Sequence, residues 1–413
     1  MIEVTRHKFP NGLTLLHHHN TSTVMAALVV MYDVGARDEV PGATGIAHLT
    51  EHLMFSGSRH VPDFDDALQR AGGVSNAWTS CDETIYYCVL PAVNIETAFW
   101  LESDRMLHLN LDDESINTQR SVVIEEFKQQ ALNVPYGDVE HLLLPLAYRV
   151  HPYRWPVLGR TVEELERVDN DTVRAFHDNH YDVSRATVCV SGNVPVERAI
   201  SLTERWFGDI EPRALAPRQL PAEPFQQEHR ALMVERHVPA TAIYRAYHMP
   251  ARADAAFYAA DLLSDVLANG QSSRFFKHIL SNGKVFTELD ASVGGTIDPG
   301  LFYIRGRLCD NVNVESAMKL VDDEISRLQD DGPSQYEVDK YTNKALSHSM
   351  FENVDYMARA IKLCQMEHML GDANLINTEE ARYRAVTPDD VREAARTILR
   401  PDNCSTLTYS TTN

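Results

Sequence analysis

An internal repeat constrains the fold of this chain more than any other feature. When the sequence is displaced by 213 positions, AHLTEHLMFSGSR at 47–59 aligns with ADLLSDVLANGQSSR at 260–274. A further match precedes it in the same order, because YDVGAR at 32–37 pairs with YHMPAR at 247–252. Ordered self-similarity of this kind indicates two copies of one structural unit. We therefore expect two tandem domains with the same α/β fold.

Helical and strand patterns alternate within each half of the repeat. The segment TVMAALVVMYDVGAR at 23–37 is predicted to be a strand, because apolar and β-branched residues dominate it. The segment RSVVIEEFKQQ at 120–130 has the apolar period of a helix. Residues 211–229 are rich in proline and polar side chains and are predicted to form a linker. We therefore expect an N-terminal domain at 1–210 and a C-terminal domain at 230–413.

Composition argues against several classes of function. The 413 residues include 59 acidic and 38 basic side chains, which gives a formal net charge of −21. A surface this acidic repels nucleic acids and anionic membranes, so neither is expected as a partner. No apolar stretch reaches the length of about 18 residues that a transmembrane helix requires. We expect a soluble globular protein.

The segment AHLTEHLMFSGS at 47–58 places three reactive side chains in an otherwise apolar run. Residues four apart on a helix lie on one face, so His48 and His52 can present two imidazoles to one metal ion. Glu51 flanks that face and can reach a water molecule without binding the metal itself. This HxxEH order is the reverse of HExxH and is a known pattern of catalytic zinc sites.

The second half of the repeat keeps this helix but loses its chemically distinctive residues. The three positions that align with the two histidines and the glutamate are Asp261, Ser264 and Asp265. The shared fold therefore does not require the histidine and glutamate set. We infer that the first half keeps the set for its chemistry.

A hydrolytic zinc site needs a third protein ligand and an open position for water. The helix predicted at 120–130 carries Glu125 and Glu126 near its centre. Adjacent residues on a helix point about 100° apart, so only one of these carboxylates can face the histidines. The pattern alone leaves that choice open. With Glu51 as a general base, such a site is suited to amide hydrolysis.

Other histidine-containing segments are interpreted as structural. HHH at 17–19 lies at the end of a predicted strand, where consecutive side chains alternate faces. CQMEHML at 364–370 contains Glu367 and His368 but no second histidine at helical spacing. A histidine on an apolar helix face is often a hydrogen-bonded core residue. That structural alternative applies to the HxxEH histidines as well.

Taken together, the motifs resemble the M16 metallopeptidases, the pitrilysin or inverzincin family. The closer resemblance is to the short-chain branch, which includes the mitochondrial processing peptidase subunits and their bacterial relatives. The segments that carry it span nearly the full chain: NGLTLL, DVGARDE, GIAHLTEHLMFSGS, AGGVSNAWTSCDETIYYCVLP, RSVVIEEF, HPYRWPVLGR, FHDNHY and VSGNV. The resemblance implies an α+β fold with two tandem M16-type domains, each a mostly antiparallel sheet packed with helices. Together the two domains would form half of a clam shell, and the second would lack the metal site.

The resemblance also implies roles for individual residues. His48, His52 and Glu126 would bind one Zn²⁺ per chain, and Glu51 would act as the general base. The second glutamate of the pair is implied as the ligand, because it matches the family's ligand position.

A substrate-binding strand is implied as well. VSNAWTS at 74–80 resembles the family's edge strand, whose unpaired backbone groups can bind an extended peptide. The resemblance therefore implies substrate contacts at Asn76 and Ala77. The alternative for Asn76 is a turn residue held by its own backbone hydrogen bonds.

Two departures from the family pattern bear on function. Gln119 stands where the family tends to carry a helper glutamate. The family also uses an arginine and a tyrosine of the second half to bind substrate and stabilise the oxyanion. In FFKHILSNGKVFTEL at 275–289 those positions are Ile279 and Phe286. A homodimer would lack both donors, so we expect a heterodimer with a paralogous M16 subunit that supplies them.

These inferences predict a zinc metalloendopeptidase subunit that hydrolyses peptides or unfolded segments inside a two-subunit chamber. The alternatives are a homodimeric processing peptidase and a non-catalytic scaffold subunit. Scaffold relatives usually lose part of the metal set, whereas this chain keeps all four residues. No targeting segment is recognisable in the sequence. The compartment is therefore left open, with the bacterial cytoplasm or periplasm as the expectation.

Overall fold

The computed structural model describes residues 1–411, which form a mixed arrangement of helices and strands. The strands are β1 (Thr5–Lys8), β2 (Thr14–His19), β3 (Met25–Tyr32), β4 (Val74–Thr79), β5 (Thr84–Pro91), β6 (Ala186–Gly192), β7 (Arg230–Arg236), β8 (Ala242–His248), β9 (Phe286–Val293), β10 (Leu301–Leu308) and β11 (Cys404–Thr411). The helices of the first half are α1 (Ile46–Leu53), α2 (Phe64–Arg70), α3 (Ile95–His108), α4 (Asp113–Phe127), α5 (Val139–Ala147), α6 (Val162–Arg167), α7 (Asn170–His180) and α8 (Val196–Phe207). The helices of the second half are α9 (Ala256–Ala268), α10 (Arg274–His278), α11 (Val314–Asp331), α12 (Gln335–Glu352), α13 (Tyr356–Leu370), α14 (Glu379–Arg384) and α15 (Pro388–Ile398). Among these described helices, none combines the length and apolar character needed to cross a membrane.

The chain folds into two compact units, each built from three separate segments. Unit 1 consists of Met1–Gln129, Trp155–Pro221 and Met350–Asn377. Unit 2 consists of Gln130–Arg154, Ala222–Ser349 and the segment from Thr378 onward.

These units differ from the continuous domains expected at 1–210 and 230–413 in two exchanged segments. Residues 130–154, which carry α5, belong to unit 2, and residues 350–377, which carry α13, belong to unit 1. Position in the chain does not reveal such an exchange, because an apolar helix can pack against either sheet.

Each unit contains one mixed sheet. The strand order is β1-β2-β6-β3-β5-β4 in unit 1 and β7-β11-β8-β10-β9 in unit 2. One pair in each sheet is parallel, β2 with β6 and β7 with β11, and the remaining pairs are antiparallel. The predicted fold class is therefore confirmed, with sheets that are mixed by one parallel pair each.

The sheet of unit 1 is covered on both faces. On one face, Ala360, Leu363 and Cys364 of α13 pack in a core with Ala27 and Val29 of β3. The alternate face of β3 lies towards α3, and the Cys88 thiol on the paired strand β5 lies 3.5 Å from a Glu102 carboxylate oxygen on α3. Two covered faces explain why β3 is an unbroken apolar run, since both sets of its side chains are buried.

In unit 2, the helices α9, α11 and α15 pack with the sheet around one apolar core. Helix α5 packs against β7, β8 and β11. The last carbonyl groups of α5 accept hydrogen bonds from side chains of these strands: Arg230 Nη1 lies 3.0 Å from the Leu146 oxygen, and His248 Nε2 lies 3.0 Å from the Ala147 oxygen. These contacts satisfy helix-end acceptors that have no partner within the helix.

Candidate metal centre

Helix α1 begins at a position that only glycine can occupy without strain. Gly45 precedes the helix with φ of 87°, in the left-handed region. A Cβ atom at this position would lie 2.9 Å from the Leu158 carbonyl oxygen. The first residues of α1 are therefore held close to the loop at 158–159, which fixes where the helix starts.

A buried carboxylate binds the N-terminus of the same helix. Glu39 Oε1 accepts a hydrogen bond of 2.9 Å from the Ala47 backbone N–H. Burial raises the pKa of Glu39 to about 8, although hydrogen bonds from the Ala47 and Gly45 backbones oppose the rise. Glu39 thus satisfies a helix donor that would otherwise lack a partner. Sequence reasoning missed this residue; the available signal was an acidic residue a few positions before a helix with no polar N-cap.

The apolar face of α1 leaves both histidines at its edge. Ile46, Leu49 and Leu53 are buried, whereas the side chains of His48 and His52 are 11% and 24% exposed. The helix ends at Leu53. Both histidines lie within the helical part, so the i and i+4 relation holds.

The third candidate ligand comes from α4, which packs along α1. Glu126 Oε2 lies 3.7 Å from His48 Nε2 and 3.3 Å from His52 Nε2. One ligand atom from each of these three side chains lies within 4.8 Å of the others. Glu125 points elsewhere: its side chain is 63% exposed and lies 2.6 Å from Lys128 Nζ. The structure thus brings His48, His52 and Glu126 together and leaves Glu125 outside the group.

The donor set fits a zinc ion. Two imidazole nitrogens and one carboxylate oxygen converge, which is the ligand number and type of catalytic zinc sites. Burial lowers the pKa of His48 to about 4, and the neighbouring His52 adds to this effect. The His48 ring is therefore neutral at physiological pH, as metal binding requires. Among residues 1–411, the buried His48 Nδ1 has no hydrogen-bond partner, which argues against a fully hydrogen-bonded core histidine.

Glu51 lies beside this group and is held by the strand next to it. Its Oε2 accepts a hydrogen bond of 2.6 Å from Thr79 Oγ1. Burial raises the pKa of Glu51 to about 7, the Thr79 hydrogen bond opposes the rise, and the charge of Glu126 adds to it. A carboxylate with a pKa near neutrality is suited to accept and return a proton. Sequence reasoning missed Thr79, although it lies in the segment assigned to substrate binding.

Strand β4 is an edge strand of unit 1, as expected for VSNAWTS. It pairs with β5 alone, with Asn76 opposite Tyr87 and Ala77 opposite Tyr86. The Ala77 N–H donates to the side-chain Oδ1 of Asn76 at 2.8 Å. The backbone N–H of Ala77 therefore faces the open edge, and the Asn76 side chain occupies it. A peptide that pairs with β4 must displace this amide.

The two positions at which the family's arginine and tyrosine were expected are in the core of unit 2. Ile279 is 3% exposed and Phe286 is 2% exposed, and both belong to the same apolar cluster. Neither side chain can donate a hydrogen bond, and neither reaches the surface.

Comparison with known proteins identifies the family. Residues 14–161 match the model described as Insulinase (Peptidase family M16), and residues 167–345 match the model described as Peptidase M16 inactive domain. The chain belongs to the M16 peptidase family, which confirms the predicted resemblance.

Individual relatives agree with this assignment. The chain is similar to an uncharacterized zinc protease of Streptomyces coelicolor, with 26% identity over 404 residues that cover 96% of this chain and 87% of the relative. It is similar to the zinc protease PqqE of Helicobacter pylori, with 28% identity over 319 residues that cover 75% and 71% of the two chains. The crystal structure of a protease from Helicobacter pylori superimposes with a TM-score of 0.92 at 24% identity, covering 99% of this chain and 100% of that one. This structural likeness establishes the fold.

Proposed function

We propose that this chain is the metal-carrying subunit of a zinc-dependent endopeptidase. The observation that carries the proposal is the convergence of His48, His52 and Glu126 beside a buried Glu51. Relatives that are named zinc proteases support the choice of metal and reaction. The substrates are peptides or unfolded segments, since an edge strand next to the site can bind only an extended chain.

The chain's own residues divide the work of peptide hydrolysis. His48, His52 and Glu126 hold the metal. When bound, Zn²⁺ lowers the pKa of a water molecule to about 7 and polarises the carbonyl under attack. Glu51 takes a proton from the attacking water and later returns it to the leaving amine. The hydroxyl and the backbone N–H of Thr79 both donate to the Glu51 carboxylate and so orient it for proton transfer.

Strand β4 supplies the binding surface for the substrate backbone. Residues on a strand alternate in direction, so the outward N–H and C=O groups belong to alternate positions, and Ala77 is one of them. We propose that the substrate pairs with these groups after Asn76 releases the Ala77 N–H. The side chain of Asn76 is then free to contact the peptide. The substrate-binding strand and the general base are adjacent, because Thr79 is the last residue of the strand and contacts Glu51.

The oxyanion donors are proposed to come from a second, paralogous M16 subunit. In this chain the two positions are Ile279 and Phe286, both buried and apolar. A subunit with an arginine and a tyrosine there would complete the site. Catalysis inside a chamber between two such subunits follows from this division, and a homodimer would retain metal with little turnover.

Metal content and turnover together test the proposal. Zn²⁺ bound after dialysis and hydrolysis of a fluorogenic unfolded peptide are measured with and without a paralogous M16 chain. Glu51→Gln is expected to retain zinc and lose turnover, whereas Glu126→Gln is expected to lose zinc. Glu125→Gln is the matched control. Glu125 is the exposed neighbour of Glu126, so this variant is expected to change neither the zinc content nor the turnover. A folded pair that binds no zinc and cuts no peptide would refute the proposal.

A further inference from the structure

A second group of metal-capable side chains lies outside the proposed catalytic centre. Ligand atoms of His60, Asp104 and His108 all lie within 4.8 Å of one another. Asp104 and His108 are four residues apart on α3, so they share one face of that helix. His60 comes from the loop between α1 and α2. The group shares no residue with the HxxEH site.

Backbone hydrogen bonds hold the loop against the end of α3. The Arg59 N–H donates to the His108 carbonyl at 2.9 Å, and the Asn110 N–H donates to the Gly57 carbonyl at 3.1 Å. Ser58 and Leu109 form an isolated β-bridge. His60 and His108 are therefore brought together by a fixed backbone, and their ring centroids lie 5.1 Å apart. Preorganised ligands of this kind lower the cost of binding an ion.

Asp104 is oriented towards the histidine by its other contacts. Its Oδ2 accepts hydrogen bonds from the Ser58 hydroxyl and from the backbone N–H of His60. Its Oδ1 lies 2.6 Å from His60 Nδ1. The carboxylate is 7% exposed, and the His60 side chain is 54% exposed. Oδ2 is thus held by two donors of the loop, and Oδ1 contacts the half-exposed ring of His60. Metal-binding carboxylates are commonly oriented in this way by outer hydrogen bonds.

We propose that His60, Asp104 and His108 form a second, exchangeable site for a divalent transition metal such as Zn²⁺. Two imidazoles and one carboxylate are ligands of that class of ion, and exposure leaves positions for water. Ligand atoms around tetrahedral zinc lie roughly 3.3 Å apart, which follows from metal–ligand bonds of about 2.0–2.1 Å. Small rotations of the three side chains therefore reach binding geometry. The ion takes the place of the proton shared by His60 and Asp104, and that proton passes to solvent.

The bound ion would fasten the loop that follows the HxxEH helix to the end of α3. Without the ion, backbone hydrogen bonds and the hydrogen bond from His60 to Asp104 make this connection, and the His108 ring contributes its contact with the His60 ring. The hydrogen bond uses only two of the three side chains, His60 and Asp104. A metal site would also use His108, which lies one helical turn from Asp104.

The experiment counts bound zinc in metal-stripped full-length protein titrated with Zn²⁺ alone. In a His52→Ala background, which removes the proposed catalytic site, we expect one equivalent to remain. Adding His108→Ala is expected to abolish that equivalent and the rise in Tm that zinc causes. The His60–Asp104 hydrogen bond is intact in this variant, so folding is expected to persist. His60→Ala serves as the second variant should His108→Ala not fold.

A matched control separates this site from other surface histidines. His19 is exposed at the end of β2, beside two other histidines, and His19→Ala is expected to leave the remaining equivalent unchanged. The proposal is overturned if folded His52→Ala protein binds no zinc, if His108→Ala leaves the equivalent in place, or if His19→Ala removes it. None of these outcomes depends on peptidase activity, so this proposal can fail while the endopeptidase proposal stands.

Discussion

A buried ion pair on α3, between Glu102 and Arg105, gives the sharpest prediction about stability. The guanidinium of Arg105 donates to Glu102 through Nε at 2.9 Å and through Nη2 at 2.5 Å. The side chains are 2% and 0% exposed, respectively. Burial would lower the pKa of Arg105, but the Glu102 charge outweighs it and the pKa is raised. Arg105 is therefore charged, and without Glu102 it would be a buried, uncompensated charge.

Glu102→Leu is expected to destabilise the protein strongly. Removing one partner of a buried pair costs about 3–5 kcal/mol, because the remaining ion is desolvated without a counter-charge. The guanidinium carbon of Arg105 lies 4.4 Å from the ring centroids of both Phe64 and Tyr86. These cation–π contacts, worth about 0.5–2 kcal/mol, favour the lower end of that range. We therefore expect a loss of about 3 kcal/mol in the free energy of unfolding.

The double variant Glu102→Leu with Arg105→Met tests the reasoning. Apolar residues of similar volume can replace a buried pair at little cost, so the double variant should be more stable than Glu102→Leu alone. Urea unfolding followed by tryptophan fluorescence measures the difference. Asp171→Leu is the control, because Asp171 and Arg174 form an exposed pair and stability should not change. If Glu102→Leu were as stable as the double variant, the uncompensated-charge explanation would be wrong.

Three further predictions concern the candidate centre. Thr79→Val removes the hydrogen bond from the Thr79 hydroxyl to Glu51. A hydrogen bond to a charged group is worth about 1.5–3 kcal/mol, so kcat of the assembled peptidase should fall by roughly 10- to 150-fold. The zinc content should not change. Stability should fall as pH rises from 4.5 to about 8, and Glu39 contributes to this fall because it keeps its proton in the folded protein but loses it on unfolding. Glu39→Gln should reduce this slope in urea titrations without abolishing it, because Glu51, whose pKa is raised to about 7, titrates in the same window. Gly45→Ala forces φ of 87° on a residue with a Cβ and a contact of 2.9 Å, and should cost about 1–3 kcal/mol or more.

Each of these predictions has an internal control. Thr79→Ser keeps the hydroxyl and should restore kcat; equal impairment of both variants would rule out a hydrogen-bond role. An unchanged pH slope in Glu39→Gln would mean that the proton on Glu39 does not contribute to stability in this window. Gly42→Ala shares a positive φ of 91° but meets no atom within 4 Å, so it isolates backbone strain from the clash at Gly45. A loss at Gly42→Ala equal to that at Gly45→Ala would contradict the clash.

Local spacing was enough to predict the part of the centre that lies on one helix. His48, Glu51 and His52 are adjacent in sequence, so helical geometry alone relates them. Glu126 could not be chosen over Glu125 by pattern, and the apolar residues beside them were an imperfect guide. Val123 and Phe127 are buried, but the equally apolar Val122 is 46% exposed. Periodicity marks the packed side of a helix only to within about one residue's rotation.

The residues that sequence reasoning missed act across the fold. Thr79 and Glu39 contact α1 from a strand and a loop, and neither relation has a fixed spacing in the chain. The segments judged structural are hydrogen-bonded in the described structure: His17 Nε2 lies 2.7 Å from the Val194 oxygen, and His368 Nε2 lies 3.2 Å from the Asp82 oxygen. Contacts of this kind depend on tertiary packing, which one sequence does not encode in its local pattern.

The placement of α13 in unit 1 has a consequence for protein synthesis. One face of the first sheet is covered by residues 350–377, which follow the rest of that unit by more than a hundred positions. Ribosomes add about 5–20 residues per second, so this apolar face stays uncovered on the order of ten seconds after the rest of unit 1 has emerged. Nascent chains of this protein should therefore need chaperone protection during that interval, and a fragment that stops before residue 350 should aggregate when expressed alone.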